Sequence, residues 1–250
     1  MGDFAAALEA IRDVEGWLTD EQARCLWDRA KGLRGPARIV EIGSYRGRSA
    51  IVLGRAAADG VEVVAIDPHA GNDRGPRQTG WGPAEAGQAD HEAFLDNLRR
   101  AGVAERVRHV RAFSPGPAAL DAVDGDIDLV FIDGAHGYRA ARDDVRRWGA
   151  RVPPGGVMLI HDSFSSVGVT LALVRCRFGS LTWRYVGRTG SLTEYRREAV
   201  AGPRARLVNL GRQVASLPWF ARNLAIKALI VARLGRLTRL LGHRQPTWPY

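Results

Sequence analysis

Short apolar runs alternate with stretches of helical periodicity along the middle of the chain. The runs are almost continuous in Val, Ile and Leu, which is typical of strands buried on both faces of a sheet. Five are present, at residues 37–42, 61–66, 107–112, 127–132 and 157–160. Helical patterns lie between them, near residues 47–59, 89–101, 115–123 and 138–149. This alternation predicts an α/β fold with a doubly wound, mostly parallel sheet and helices on both faces.

The segments on either side predict a hairpin and further helices. Residues 182–186 and 191–195 flank a glycine-containing turn, which predicts an antiparallel hairpin that completes a seven-stranded sheet. Near the start of the chain, Thr19 with Gln22 three positions later predicts the capping box of a helix. We therefore expect a helical cap over 1–36, a core over 37–197 and a basic helical tail over 198–250.

The charge of the chain is unevenly distributed. Of the 36 Lys and Arg residues, nine follow residue 200, whereas the last acidic residue is Glu198. The other 27 basic residues balance the 27 acidic ones. Residues 1–200 therefore have no net charge, which argues against a basic groove for nucleic acid. The excess positive charge belongs to the tail and indicates what the tail contacts.

Composition narrows the class of protein further. The 46% apolar fraction is sufficient for a core and excludes wholesale disorder. Cys25 and Cys176 have neither metal-ligand spacing nor a disulfide pattern, which favours a reducing compartment. We see no signal peptide and no run of about 18 uncharged apolar residues that would span a membrane. These features predict a cytoplasmic protein.

The turn after the first predicted strand suits a ligand. Gly43 and Gly47 allow the backbone to turn tightly, and the helix that starts near Gly47 directs its free N–H groups to the same place. The dinucleotide pattern of three glycines is not present. Asp67 ends the next strand, where a carboxylate suits a ribose diol. Together they predict a nucleoside ligand without a pyrophosphate. A tight strand–helix turn without a ligand is the alternative.

These residues resemble a known family. Glu41-Ile42-Gly43-x-x-x-Gly47-x-Ser49 resembles motif I of the class I S-adenosylmethionine-dependent methyltransferases. Ile132-Asp133-Gly134-x-His136, with a His-Asp pair after Pro-Gly-Gly, resembles the bacterial branch that methylates hydroxyls of sugars and related natural products. The resemblance, over about residues 16–195, implies a Rossmann-like fold and S-adenosylmethionine as cofactor. It implies cofactor contacts from Glu41, Gly43, Ser44, Gly47, Ser49, Asp67, Ser114 and Asp133.

Four ionisable residues follow the fourth and fifth strands: Asp133, His136, His161 and Asp162. The carboxyl ends of parallel strands meet at one edge, so these groups are expected to crowd one cleft. A divalent cation would compensate the carboxylates, and oxygen ligands favour Mg²⁺ or Mn²⁺. The resemblance implies Asp133 and Asp162 as ligands, and several metal-dependent relatives carry Glu where His161 stands. We expect a divalent ion, Mg²⁺, held by Asp133, His161 and Asp162, although imidazole suits Zn²⁺, Ni²⁺ or Fe²⁺ better.

Methyl transfer to an alcohol requires removal of the hydroxyl proton. A histidine base or a metal-bound alcohol supplies this help. The resemblance implies His136 as the base, and Asp133 is the second catalytic candidate. Purely structural alternatives exist, in which His136 caps the following helix and His161-Asp162 forms the turn after the strand.

Several other residues are weaker candidates. Ser114 follows the third strand, where relatives contact adenine, and Phe113 packs either on adenine or, the favoured interpretation, in the core. Asp143 and Asp144 are expected on a solvated helix face. His69 and Trp81 lie on a Gly/Pro-rich loop, residues 69–88, that is typical of a lid or a disordered insert.

The tail has helical character over residues 203–243, with a basic amphipathic pattern. Residues 216–219 read as a helix start, and Ile226, Ile230, Leu234, Leu237 and Leu241 form an apolar stripe. The flank carries Arg222, Arg233, Arg236 and Arg239, and Trp248 and Tyr250 follow. This pattern favours docking on the inner membrane face, near a lipid-linked glycan. A helix of a homo-oligomer, or one packed on the protein's own surface, is the alternative.

The sequence thus predicts an S-adenosylmethionine-dependent O-methyltransferase with a small-molecule or glycan acceptor. A nucleic-acid methyltransferase, with the tail bound to phosphates, is a second hypothesis. The neutral body speaks against it, so no nucleic-acid partner is expected. A third hypothesis is a non-catalytic partner protein that retains only the nucleoside pocket.

Overall fold

A computed structural model describes residues 3–71 and 83–244, whose seven strands form one sheet. The strands are β1 (Ala37–Ile42), β2 (Val61–Ile66), β3 (Val107–Val110), β4 (Leu129–Ile132), β5 (Val157–Ile160), β6 (Trp183–Thr189) and β7 (Leu192–Arg197). Their order is β3-β2-β1-β4-β5-β7-β6, and β7 runs antiparallel to both neighbours. The predicted mostly parallel, doubly wound sheet with a C-terminal hairpin is confirmed.

The apolar runs set most strand boundaries. β1, β2 and β5 begin and end where the sequence predicts, because both of their faces are covered. β3 stops at Val110, two residues early, and β4 starts at Leu129, two residues late. Ile127 is buried, but its N–H donates to Arg151 O at 2.9 Å rather than to the sheet. Hydrophobicity alone does not distinguish a buried strand residue from a buried residue, such as Ile127, that hydrogen-bonds outside the sheet.

Helices cover both faces of the sheet. They are α1 (Phe4–Ala10), α2 (Asp20–Lys31), α3 (Arg48–Ala56), α4 (Ala84–Arg100), α5 (Pro117–Asp121), α6 (Tyr138–Ala150), α7 (Val167–Cys176), α8 (Pro203–Val214) and α9 (Leu217–Val231). One core contains residues from α1 to α4, and the other contains residues from α5 to α7. The first core therefore includes the N-terminal cap.

Helix α4 corrects the predicted extent of the 69–88 loop. The helix begins at Ala84, so residues 84–88 are helical. Gly87 permits this, because a Cβ at that position would clash with the carbonyl oxygen of His69. Residues 72–82, and with them Trp81, lie outside the described residues.

The N-terminal cap is joined to the first turn of the sheet. The predicted capping box is confirmed: Gln22 N donates to Thr19 Oγ1 at 3.3 Å, and Thr19 N donates to Gln22 Oε1 at 3.0 Å. Arg48 of α3 donates to three backbone carbonyls in the segment between α1 and α2. This segment is thereby fixed beside the turn after β1.

The tail packs on the protein's own surface. Asn209 of α8 accepts from Tyr185 N at 2.8 Å and donates to Trp183 O at 3.1 Å. Gln213 accepts from Tyr195 Oη at 3.1 Å. These buried polar contacts join the tail to β6 and β7, as the alternative of a surface-packed helix predicts.

The predicted apolar stripe is not one continuous helical face. α9 ends at Val231, Arg233 adopts a φ of +61°, and a 3₁₀ helix (Gly235–Leu241) follows. Ile226 is buried, whereas Leu234 and Leu237 are 50% and 45% exposed. The broken helix separates residues that a continuous one would align. Trp248 and Tyr250 lie outside the described residues.

Among the described residues, one helical segment passes a simple test for a membrane span. Pro203–Val231 is long enough, with a mean hydropathy of 1.3 in its most apolar window. This test uses length and composition only, and core helices of soluble proteins also pass it. The segment turns at Ala215 and Ser216 and carries the buried amides of Asn209 and Gln213. Docking of the tail on a membrane stays a prediction.

Candidate active site

The turn between β1 and α3 depends on glycine. Gly43 and Gly47 have φ values of +83° and +88°, in the left-handed region that side chains disfavour. A Cβ on Gly43 would also clash with the carbonyl oxygen of Asp133. This glycine therefore brings the turn directly against the end of β4, at the switch point of the sheet.

Asp67, at the end of β2, clamps this turn. Its Oδ2 accepts hydrogen bonds from Ser44 N at 2.8 Å and Tyr45 N at 2.9 Å. Its Oδ1 accepts from His69 N at 2.7 Å. The carboxylate remains 15% exposed, and it faces the cavity described below. One side chain thus organises the loop and presents oxygen atoms where the sequence predicts a ribose.

Glu41 supports the turn from below. It is fully buried, Ser44 Oγ donates to its Oε2 at 2.6 Å, and Ser49 also donates to it. Burial raises the pKa of Glu41 to about 8, although the two serine hydrogen bonds act in the opposite direction. Its other oxygen has no hydrogen-bond partner among the described residues. Glu41 therefore positions the cofactor loop rather than lining the cavity.

Replacing Glu41 by glutamine should change how stability depends on pH. The folded pKa of about 8 exceeds the unfolded value of about 4.3. Between these values the folded state holds a proton that the unfolded chain has released, so stability falls as pH rises. Glu41→Gln removes this loss, which is on the order of a few kcal/mol.

Urea unfolding at pH 5.5 and 8.5 measures this effect. We expect Glu41→Gln to gain free energy of unfolding relative to wild type as pH rises. Glu105→Gln, at an exposed carboxylate, is the matched control. Equal pH dependence of wild type and Glu41→Gln would show that Glu41 is ionised in the folded protein.

The ends of β4 and β5 bring together two carboxylates and two imidazoles. His136 Nε2 lies 2.7 Å from Asp162 Oδ2, and His161 Nδ1 lies 3.1 Å from Asp133 Oδ1. His136 is 40% exposed, whereas the His161 ring is 1% exposed. His136 is therefore the accessible imidazole, whereas His161 lies in the interior beside Asp133, which is 29% exposed.

The carboxylates of Asp133 and Asp162 flank the buried ring of His161. Its Nε2 donates to Gln22 Oε1 at 3.2 Å. Burial opposes the charge, but Asp133 and Asp162 raise the pKa of His161 to about 10. Burial also opposes ionisation of Asp162, yet His161 and His136 hold the pKa of that carboxyl well below its usual range. The buried group is thus an ion pair of opposite charges.

The predicted magnesium set of Asp133, His161 and Asp162 stays a prediction. A protonated imidazole has no lone pair to donate, so His161 ligates an ion only in its neutral form. The donor atoms that lie within 4.8 Å of one another belong instead to Asp133, His136 and Asp162. Of these, His136 is engaged with Asp162.

The third strand supplies another wall of the site. Ser114 Oγ donates to Asp144 Oδ1 at 2.6 Å and accepts from Trp148 Nε1 at 2.7 Å. Asp144 is only 2% exposed, which corrects its predicted place on a solvated face, and burial raises its pKa to about 7. Phe113 is 51% exposed and lines the cavity, which corrects its predicted place in the core.

One cavity of about 520 Å³ connects these groups. The predicted site residues that line it are Gly43, Ser44, Ser49, Asp67, Ser114, Asp133, His136, His161 and Asp162. Glu41 and Gly47 do not line it. The cavity therefore runs from the clamped turn after β1 to the His136–Asp162 pair.

A family described as "Methyltransferase domain" matches residues 40–163, from β1 to the turn after β5. This range contains the clamped turn, Asp67 and the His136–Asp162 pair. Residues 40–163 form a methyltransferase domain. The predicted enzyme class, a methyltransferase, is confirmed for this domain.

A curated relative matches part of the chain. It is the uncharacterized protein y4gI of Sinorhizobium fredii, which is 29% identical over 132 residues. The match covers 51% of this chain but 13% of that protein, so the chain spans a small part of the relative's length. The relative is itself uncharacterized and adds no activity.

Solved structures share the fold of the methyltransferase domain. One is the O-methyltransferase TomG from Streptomyces achromogenes in complex with SAM, with 20% identity and a TM-score of 0.55 over 80% of this chain and 92% of that one. Another is the O-methyltransferase from Bacillus cereus in complex with SAH, with 15% identity and a TM-score of 0.54 over 79% and 93%. At these identities the likeness establishes the fold.

The tail also reaches the methyltransferase site, which the sequence does not predict. Asp162 and Phe164 have φ values of +54° and +57°, which strain the loop after β5. From α9, Asn223 Nδ2 donates to Phe164 O at 3.1 Å, and Lys227 Nζ donates to Ser165 O at 2.8 Å. Lys227 lines the cavity. Helix α9 therefore holds the strained loop and forms part of the cavity wall.

Asp144 is a site residue that the sequence pattern could have identified. It shares the buried face of α6 with Ala141, Val145 and Trp148. Asp144 stands three residues after Ala141 and four before Trp148. Residues at these spacings lie on the same face of a helix. Lys227 and Gln22 carry no such signal, because their contacts join distant parts of the chain.

Proposed function

We propose that this protein transfers a methyl group from S-adenosylmethionine to a hydroxyl of a sugar, glycolipid or related natural product. The observation that carries the proposal is the single cavity that joins the clamped turn at Asp67 to the His136–Asp162 pair. A nucleoside at one end places its reactive methyl group toward the other. SAM- and SAH-bound structures of similar fold support the cofactor.

The chemistry requires an aligned hydroxyl and a base. In the proposed step the carbon–oxygen bond forms as the carbon–sulfur bond breaks, and sulfur keeps the electron pair to give S-adenosylhomocysteine. His136 takes the hydroxyl proton, and Asp162 orients its ring through the 2.7 Å contact with Nε2. Asp133, beside the cofactor turn, accepts a hydrogen bond from the acceptor and aligns it.

We propose that His161, rather than a divalent ion, compensates the charge of Asp133 and Asp162. Mg²⁺ should therefore bind wild type too weakly to saturate at millimolar concentration. His161→Glu replaces the imidazolium by the carboxylate that the family resemblance implies at this position, and it should create saturable Mg²⁺ binding and a higher Tm with Mg²⁺.

Calorimetry and thermal unfolding with Mg²⁺ test this charge assignment. His161→Gln is the matched control, since it removes the imidazolium without adding a ligand charge. Saturable Mg²⁺ binding to wild type that disappears in Asp133→Asn would contradict it. The ion would then belong to the native site.

The cavity also has walls from outside the methyltransferase domain. Trp17, from the segment before α2, and Lys227, from α9, both line it. An aromatic ring and an ammonium group suit the apolar and polar faces of a glycoside. One structure of similar fold, TomG, is described as involved in tomaymycin synthesis, which is consistent with a natural-product hydroxyl.

The proposal is tested by transfer of a labelled methyl group from S-adenosylmethionine to panels of sugars, glycolipids and glycosylated natural products. We expect labelled product with at least one panel, and none with an RNA transcript. Calorimetric titration with S-adenosylhomocysteine establishes the cofactor site independently of the acceptor. Absence of S-adenosylhomocysteine binding would reject the proposal.

A further inference from the structure

Three histidines converge beside the loop after β2. His69 follows β2, His91 lies on α4 and His109 lies on β3. The three ring centroids are 5.0 Å apart in every pair. One ring nitrogen from each residue lies within 4.8 Å of those of the other two. This cluster is separate from the group formed by Asp133, His136 and Asp162.

Two of these rings have a buried nitrogen without a hydrogen-bond partner. His69 Nε2 donates to Tyr45 O at 2.8 Å, and its Nδ1 has no partner among the described residues. His109 bonds the backbone of Asp67, and its Nε2 has no partner there. The His69 side chain is 1% exposed. Each of these two rings thus has one nitrogen bonded to the backbone and a second, buried nitrogen without a hydrogen-bond partner in the described part of the chain. The second nitrogen of His69 lies 3.8 Å from Asp67 Oδ1.

This arrangement matches the hydrogen bonding of histidines that bind metals. A ligating histidine donates one N–H to a carbonyl or carboxylate and presents the lone pair of the other nitrogen to the ion. The rings must be neutral to bind an ion, because a protonated imidazole has no lone pair to donate.

Packing does not by itself account for the cluster. Phe94 contacts His69 and His109, with centroid distances of 5.3 and 4.7 Å, so the rings do form an aromatic cluster. An aromatic cluster alone, however, leaves buried nitrogens without partners, which is costly. A bound cation satisfies both nitrogens.

We propose that His69, His91 and His109 bind a zinc-class divalent cation. Three imidazoles suit Zn²⁺ and Co²⁺, and they do not suit Mg²⁺. Zn–N bonds of about 2.0–2.1 Å place ligand atoms about 3.4 Å apart, so the rings close by roughly 1 Å on binding. His91 Nδ1 now lies 3.2 Å from Arg111 Nη1, and this exposed contact rearranges. Water completes the tetrahedron.

The ion would connect three elements at the nucleoside end of the cavity. It would join His69, in the loop after β2, to α4 and β3. Gly87 already brings α4 against the backbone of His69. His69 and Asp67 share the same turn. We infer that the ion stabilises this turn.

The test uses the full-length protein without an affinity tag, first dialysed against a chelator. Zn²⁺ is titrated by calorimetry, and Co²⁺ is titrated by its visible absorption, which is intense for tetrahedral sites. We expect one equivalent of each ion, a tetrahedral Co²⁺ spectrum and no competition from excess Mg²⁺. His91→Ala should weaken binding by about 100-fold or more, whereas His136→Ala should leave it unchanged.

His91→Ala is the first variant because His91 is only partly buried, and His109→Phe is the second because phenylalanine fills the space of the ring. Far-UV circular dichroism verifies that each variant is folded. No binding to wild type, or full binding to both variants, would overturn the proposal. Loss of binding in His136→Ala would overturn it too, since the ion would then lie at the other cluster. None of these outcomes depends on methyl transfer.

Discussion

Replacing His136 by alanine is expected to lower turnover by about 10²- to 10⁴-fold while S-adenosylhomocysteine binds with unchanged affinity. The ring lies at the acceptor end of the cavity, and its Nε2 is 2.7 Å from Asp162 Oδ2. Its ring contacts Asp162, whereas Asp67 clamps the cofactor turn through Ser44 N and Tyr45 N. Losing the base therefore removes proton transfer and leaves the nucleoside contacts in place. Initial rates and calorimetric titration of the same preparation measure both quantities.

Two further experiments separate a base from a structural role. His243→Ala, at a histidine that does not line the cavity, is the matched control and should retain full turnover. Added imidazole should restore part of the activity of His136→Ala, because it supplies the missing base. Full activity in His136→Ala would assign proton removal to another group. A parallel loss of S-adenosylhomocysteine affinity would instead make His136 a binding residue.

Replacing Asp67 by alanine is expected to weaken S-adenosylhomocysteine binding by about 10- to 100-fold, because hydrogen bonds to a charged group are worth about 1.5–3 kcal/mol. The carboxylate holds Ser44 N, Tyr45 N and His69 N in place and faces the cavity. The variant loses a ribose acceptor and the clamp on the cofactor turn together. Calorimetric titration with S-adenosylhomocysteine measures the change.

A deoxygenated ligand separates these two roles of Asp67. The 2′,3′-dideoxy analogue of S-adenosylhomocysteine should bind wild type more weakly than the parent, and Asp67→Ala should bind the two equally. Asp59→Ala, at a fully exposed aspartate, is the control and should behave as wild type. If Asp67→Ala still discriminates between the two ligands, the ribose contact lies elsewhere. Wild-type affinity of Asp67→Ala for S-adenosylhomocysteine would refute both roles.

Local sequence patterns predict the sheet well because the central strands are buried on both faces. β1, β2 and β5 coincide with their apolar runs, and the capping box at Thr19 forms as its spacing predicts. Errors occur where local pattern and tertiary contact disagree. The helix start predicted at Ser216 is present, but the predicted apolar stripe through Leu241 is interrupted because α9 ends at Val231. Polar residues of α8 meet β6 and β7.

The site residues also divide into those that local sequence predicts and those that only tertiary contacts reveal. Gly43, Asp67 and His136 are identifiable because each stands at a strand end in a parallel sheet, where such ends must converge. The protonation of His161 is not identifiable in this way. It depends on burial and on two carboxylates that only the folded chain places beside the ring.

The sequence by itself determines the order of strands and helices, the glycine turn after β1 and the residues at the strand ends, because these depend on periodicity and on backbone freedom at single positions. Tertiary structure alone decides which polar groups meet. Gln22 contacts His161 across 139 residues, and Lys227 reaches Ser165 across 62. The histidine cluster also joins three separate elements. Such contacts lie beyond the range of local periodicity, and they arise only when the layers of the fold pack together.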